Sequence, residues 1–148
     1  MPTLPSILLI EDNPDDYEAT LRSLRDNHFL NPVHWEKNGT DALAYLGHGR
    51  EQDDAAQDDP PGLVLLDLNI PGIDGRGVLQ AIKQDARLRS IPVVVLTTSS
   101  DERDIKRCYD MGASTYIQKP VSFPGLAQAI RTMKDYWFGI AILPRQAV

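Results

Sequence analysis

LLDLNIPGIDG, residues 65–75, is an apolar run that stops on a carboxylate, Asp67, and then turns through Pro71-Gly72 to a further glycine, Gly75. A charge would be easier to keep solvated a few residues later, so its place at the end of the run asks for a reason. Upstream the run extends to Leu63. LVLL at Leu63–Leu66 is a short, unbroken aliphatic stretch bounded by turn residues, the pattern of a parallel strand covered on both faces. SILLI at Ser6–Ile10 and VVVL at Val93–Leu96 are of the same kind, and VHWE at Val33–Glu36 and TYIQ at Thr115–Gln118 complete the set.

Helical periodicity fills the gaps. Tyr17, Leu21 and Leu24 follow i, i+4, i+7; Ala42, Leu43 and Leu46, then Val78, Leu79 and Ile82, make shorter stripes. Ile105, Tyr109 and Met111 mark a fourth helix, and Leu126, Ile130, Met133 and Trp137 a fifth. Pro14 suits the first turn of the first helix. Ser99-x-x-Glu102 fits a capping box and Gly112 a C-cap for the fourth, and Ser122 suits the N-cap of the fifth. The alternation implies an α/β fold, a (βα)5 doubly wound, five-stranded parallel sheet with right-handed crossovers. Residues 47–62, GHGREQDDAAQDDPPG, read as a solvated loop without a chemical role.

The bulk numbers agree with one domain. The chain has 148 residues, 42% of them hydrophobic, one cysteine (Cys108) and a net charge of −6. No intramolecular disulfide can form, no run approaches the ~20 apolar residues of a membrane span, and MPTLPSILLI lacks the features of a signal peptide. A cytoplasmic location is expected, with neither membrane nor nucleic acid as partner.

Ligands of open α/β sheets bind outside the carboxyl ends of the strands. There the sequence delivers Glu11 and Asp12 after strand 1, Asp67 after strand 3, Thr97 and Thr98 after strand 4, and Lys119 after strand 5. Carboxylates crowded together repel. A hard divalent cation relieves that, and oxygen ligands without His or Cys suit Mg²⁺. A cation, an ammonium and a hydroxyl around one carboxylate are what a phosphoryl acceptor needs, with Asp67 as nucleophile and Lys119 and Thr97 around the phosphoryl oxygens.

Those residues in that order resemble the receiver domains of two-component response regulators, over about Ile7 to Trp137. The resemblance implies the flavodoxin-like strand order 2-1-3-4-5. It also implies Mg²⁺ held by Asp12, Asp67 and the backbone carbonyl of Asn69, with Glu11 helping, and a switch pair of Thr97 and Tyr116. Lys119–Pro120 matches a peptide bond that is cis in the family. EDNPDD at 11–16, the long loop before strand 3, TTSSDERDI at 97–105 and the aromatic tail are similar to the stand-alone regulators of bacterial and cyanobacterial phytochromes. The implied donor is a sensor histidine kinase of phytochrome type. None of His28, His34 and His48 reads as a phosphohistidine. By this likeness the protein is not an enzyme but a phosphoacceptor that assists its own phosphorylation and dephosphorylation.

Two other readings differ in class. A haloacid-dehalogenase-type phosphohydrolase also uses a strand-end Asp, but needs a second Asp two residues on, where this chain has Asn69. A receiver-like interaction module that is never phosphorylated would be expected to have lost Asp or Lys, and here both are kept. The expected organisation is a receiver domain at 1–138 and an apolar tail at 139–148. Tyr136, Trp137, Phe138, Ile140, Ile142 and Leu143 lie too close together for one buried helix face, so helix 5 and the tail are expected to form a homodimer. No output domain follows in this sequence, so output is expected by contact with an unknown downstream protein, by phosphorelay or by changed dimerisation.

Overall fold

The computed structural model describes residues 4–49 and 60–144. Most of the 47–62 loop therefore lies outside the described residues. The elements run β1 (Ile7–Ile10), α1 (Pro14–Asp26), β2 (Val33–Glu36), α2 (Gly39–Leu46), β3 (Leu63–Leu66), α3 (Gly75–Gln84), β4 (Val93–Thr97), α4 (Glu102–Asp110), β5 (Thr115–Gln118) and α5 (Phe123–Gly139). All strand pairs are parallel, in the order β2-β1-β3-β4-β5. This is the expected (βα)5 architecture; β1 starts one residue later than the pattern suggested and β4 takes in Thr97.

Strand side chains alternate between faces, and here the alternation builds two cores. Leu8, Ile10, Val64, Leu66, Val93 and Val95 meet α2 and α3, with Cys108 of α4. Ile7, Leu9, Leu63, Leu65, Val94 and Leu96 meet Leu24 of α1 and Leu126, Ile130 and Met133 of α5. Continued one step past the strand ends, the same parity sends Glu11, Asp67 and Lys119 toward the α1/α5 face. Thr97 and Tyr116 fall on the opposite face. Register brings the ends level: Ile10 pairs with Leu66, and the Asp67 N–H donates to the Ile10 carbonyl at 3.0 Å. Between β4 and β5 the Lys119 N–H donates to the Thr97 carbonyl at 2.7 Å.

Caps fix where the helices begin. Asn13 caps α1 by accepting from the N–H groups of Asp15 and Asp16, with Pro14 in the first turn. Ser122 caps α5 as expected. For α4 the capping-box reading is corrected. Asp101 is the N-cap, accepting from the Arg103 N–H, while the Ser99 hydroxyl donates instead to Asp104. At the other end Gly112 does terminate α4: with φ at +105°, it lets the Ala113 N–H reach the Cys108 carbonyl and the Gly112 N–H the Tyr109 carbonyl. Gly75 has a different reason. A Cβ there would lie 2.4 Å from both the Asp67 carbonyl oxygen and the Leu68 Cα, so only glycine lets α3 start against the segment that carries Asp67. No cis peptide bond occurs among the described residues, so Lys119–Pro120 is trans, contrary to expectation. The two isomers of an X–Pro bond differ by only about 1 kcal/mol, so the Lys-Pro pair alone does not fix the isomer.

The tail divides. α5 ends at Gly139. Phe138 packs edge-on to Phe29, and Leu143 is buried where Gly62 and Pro5 lie. Ile140 and Ile142 are each 75% exposed, and Tyr136 is exposed beside them.

Candidate functional site

Glu11, Asp12 and Asp67 each bring a carboxylate oxygen within 4.8 Å of the others. Glu11 and Asp67 are buried; Asp12 is exposed. Lys119, buried too, reaches across the sheet edge into this group. Its Nζ donates to Glu11 Oε2 at 2.5 Å, Asp16 Oδ2 at 2.8 Å and Asp67 Oδ2 at 3.1 Å. The other oxygen of Asp67, Oδ1, accepts the Asn69 N–H at 3.0 Å. Glu11 is held in turn: its Oε1 accepts the Asn13 N–H, and its carbonyl accepts the Trp35 indole N–H at 2.7 Å. Trp35 stacks flat on Tyr17 at 3.8 Å.

One ammonium is thus divided among three carboxylates, and burial and pairing pull their proton affinities in opposite directions. Burial drives the Glu11 carboxyl up to about 7; pairing with Lys119 opposes this and the nearby Asp67 charge adds to it. Burial alone would lower the Lys119 ammonium, but its hydrogen bonds to Asp16 and Glu11, together with the attraction of Glu11 and Asp67, hold it above its ordinary value.

A pH dependence follows. The folded state keeps the Glu11 proton between pH 4.5 and about 7, where the unfolded chain has released it. The stability this group contributes is therefore complete below pH 4.5 and is lost as pH rises toward 7, by at most about 3 kcal/mol. Asp85, Asp101 and Asp104 are shifted down, so the stability they contribute is fully present above the ordinary carboxylate range and adds no slope there. Without divalent metal, the wild-type melting temperature should fall from pH 5 to pH 8 and that of Glu11→Gln should stay nearly level. An equal slope in both would remove Glu11 as the cause.

Thr97 is fully buried, and among the described residues its hydroxyl has no hydrogen-bond partner. An orphaned buried hydroxyl is costly and rare in native proteins. Thr97 stands at the end of β4, the strand between those that carry Asp67 and Lys119. The donor set, carboxylate oxygens without His or Cys, fits a hard divalent cation.

On the opposite face, Tyr116 is half-buried and its hydroxyl donates to the Ser99 carbonyl at 2.9 Å. The β4–α4 loop is held from a second side. Arg76 of α3 makes a bidentate pair with Asp104 (2.9 and 2.7 Å), and Asp104 also accepts the Ser99 hydroxyl. The loop thus begins at Thr97 and is held at Ser99 by Tyr116 of β5.

Sequence reasoning placed Glu11, Asp12, Asp67, Thr97 and Lys119 at one edge; the structure groups the Glu11, Asp12, Asp67 and Lys119 side chains there, while Thr97 meets Lys119 through the backbone. Asn69 enters through its N–H. Asp16, Arg76 and Trp35 were not foreseen. Asp16 had a usable signal: in a β/α unit the first turn of the helix faces the carboxyl ends of the strands, so an acid there stands at the rim of the site.

Residues 7–131 match the response regulator receiver domain, and the chain belongs to that family. It is 40% identical over 137 residues to the probable methanogenesis regulatory protein FilR2 of Methanothrix harundinacea, covering 90% of this chain and 83% of that one. It is 34% identical to the response regulator Rcp1 of Synechocystis, covering 93% of this chain and 92% of Rcp1. Among solved structures, the phosphorylated cyanobacterial phytochrome response regulator RcpA superposes with a TM-score of 0.85 at 38% identity, covering 95% of this chain and 98% of that one. The Mn²⁺-bound form of Rcp1 gives a TM-score of 0.85 at 33% identity over 95% of this chain and 99% of that one. The chain therefore stands close to the phytochrome-associated response regulators.

Proposed function

We propose that this receiver accepts a phosphoryl group on Asp67 from a phosphohistidine of a partner sensor kinase, of phytochrome type. The observation that carries the reading is the meeting of Asp67 and Lys119 at one sheet edge, with Thr97 at the end of β4 between them in the strand order, its buried hydroxyl unbonded among the described residues. A carboxylate oxygen of Asp67 attacks phosphorus. The P–O bond forms as the P–N bond breaks, and the electron pair of that bond returns to the imidazole nitrogen. Lys119 supplies an ammonium and Thr97 a hydroxyl to the phosphoryl oxygens. Asp12, Asp67 and the Asn69 carbonyl, with Glu11, would hold Mg²⁺, which when bound neutralises carboxylate and phosphoryl charge. The reading draws support from RcpA, which has been seen phosphorylated, and from Rcp1, seen with Mn²⁺.

Once phosphorylated, the site draws the Thr97 hydroxyl toward the phosphoryl group. That movement is felt by Tyr116 and by the β4–α4 loop, and a two-state shift of the α4–β5–α5 face results. The protein is a phosphoacceptor that assists its own turnover rather than an enzyme acting on a separate substrate. Among the described residues no helix is long and apolar enough to cross a membrane, and the site of action is the cytoplasm. The test is phosphotransfer from purified histidine kinases of the source genome, with labelled ATP. A phytochrome-type kinase should label the chain faster than the others. Preferential labelling by an unrelated kinase would overturn the pairing but leave the acceptor.

Residues 1–138 form the receiver and 139–148 an apolar extension through which two copies pair. The exposed Ile140, Ile142 and Tyr136 supply its surface, with Leu143 anchoring the tail to its own domain. Ile140→Ser with Ile142→Ser should turn a dimer into a monomer in light scattering; a wild-type monomer at high concentration would end this idea.

A further inference from the structure

We propose that Asp16 is the group Lys119 gives up when Asp67 carries a phosphoryl group, so that Asp16 restrains the phosphorylated state. The inference rests on Asp67 being the acceptor. An ammonium has three N–H donors, and the three of Lys119 are matched by Glu11, Asp16 and Asp67. A phosphoryl group on Asp67 inherits the one donor that Asp67 now takes, and for a second phosphoryl oxygen to gain a donor one of the other two acceptors has to leave. Glu11 is poorly suited to leave, because its side chain is only 4% exposed and has little access to water in place of the lysine. Asp16 is 38% exposed and can take water in place of the lysine, and its pairing is worth correspondingly little. Asp16 also shares the Lys119 ammonium with Asp67, so its own negative charge opposes the incoming anion.

The position of Asp16 is set by the fold rather than by Lys119. Asn13 caps the first turn of α1 through the Asp15 and Asp16 N–H groups, and Pro14 starts the helix, so releasing the side chain does not require the backbone to move. Asp15 provides the control. It sits in the same turn and is exposed, and removing its charge leaves the Lys119 contacts untouched.

The experiment titrates the full-length protein with beryllofluoride at fixed Mg²⁺, reading tryptophan fluorescence, since Trp35 donates to the Glu11 carbonyl. Asp16→Asn and Asp16→Ala should lower the half-saturating concentration about 5-fold relative to wild type, the size of a half-exposed ion pair. Asp15→Asn should change it less than twofold. A residue that merely held the site together would weaken binding on removal, so an unchanged or raised half-saturation in both Asp16 variants overturns the proposal. Equal tightening in Asp15→Asn also overturns it, since the effect would then be one of net charge. Failure of the wild type to respond at all would instead bring down the phosphoacceptor reading beneath it.

Discussion

Asp67→Asn is expected to take up no phosphoryl label from any histidine kinase and to give no fluorescence or thermal response to beryllofluoride with Mg²⁺. The substitution keeps the shape of the side chain and exchanges a charged nucleophile for an amide. Loss of the attacking atom should lower the phosphotransfer rate on the order of 10⁴-fold or more. The fold should survive. Asn can still accept the Asn69 N–H through its side-chain oxygen, where Asp67 Oδ1 accepts it now. It also removes one of the charges that raise the Glu11 carboxyl, so the fall in stability with rising pH should end at lower pH and be smaller in total than in wild type. These two results together separate chemistry from folding: a stable Asp67→Asn protein with a gentler pH profile and no label assigns the acceptor. Labelling at the wild-type rate would place the acceptor elsewhere.

The fold was legible because its strands are nearly pure aliphatic runs. Leu63–Leu66 is buried throughout, and such a run has few alternatives to a central parallel strand. The site was legible because strand ends are the one place where sequence position translates directly into spatial position, which is how Glu11, Asp67, Thr97 and Lys119 could be gathered without coordinates. Asp16 was not, because its place depends on how α1 leans over the sheet. From sequence it is one of two adjacent acids in a first helical turn, where acids favour the helix dipole anyway. Ser99 misled for a related reason. Its hydroxyl had a nearby side-chain acceptor, Asp104, already oriented by Arg76, so Asp101 took the capping role. The turn after α1 carried no glycine signal, yet His28 adopts a left-handed φ of 61° there, letting the Phe29 N–H reach the Leu24 carbonyl. Such a conformation is uncommon for a side-chain-bearing residue, although His is among those enriched in it.

Lys119→Met is expected to have the largest effect on stability and to uncouple phosphorylation from its consequence. It keeps the length and apolar stem of the lysine while leaving Glu11 and Asp67, with side chains 4% and 10% exposed, without their shared cation. Uncompensated buried charge of this kind costs about 3 kcal/mol at neutral pH, roughly 9 °C in Tm for a chain of this size. Protonating Glu11 removes one of the two charges, so the deficit should shrink on acidification from pH 8 to pH 5, an interaction that a simple packing defect would not show. Mg²⁺ should recover part of the loss, because a cation among Glu11, Asp12 and Asp67 does for those carboxylates what the ammonium did. Beryllofluoride with Mg²⁺ should still reach Asp67, more weakly, but without the change at Tyr116 that follows in wild type, since no ammonium draws the phosphoryl oxygens toward β5. Thermal melts at both pH values, with and without Mg²⁺, read the first part, and the NMR signals of Tyr116 read the second. A Lys119→Met protein as stable as wild type at pH 8 without metal would mean that the carboxylates do not depend on Lys119. A full wild-type response at Tyr116 would mean that the switch is thrown by Thr97 alone.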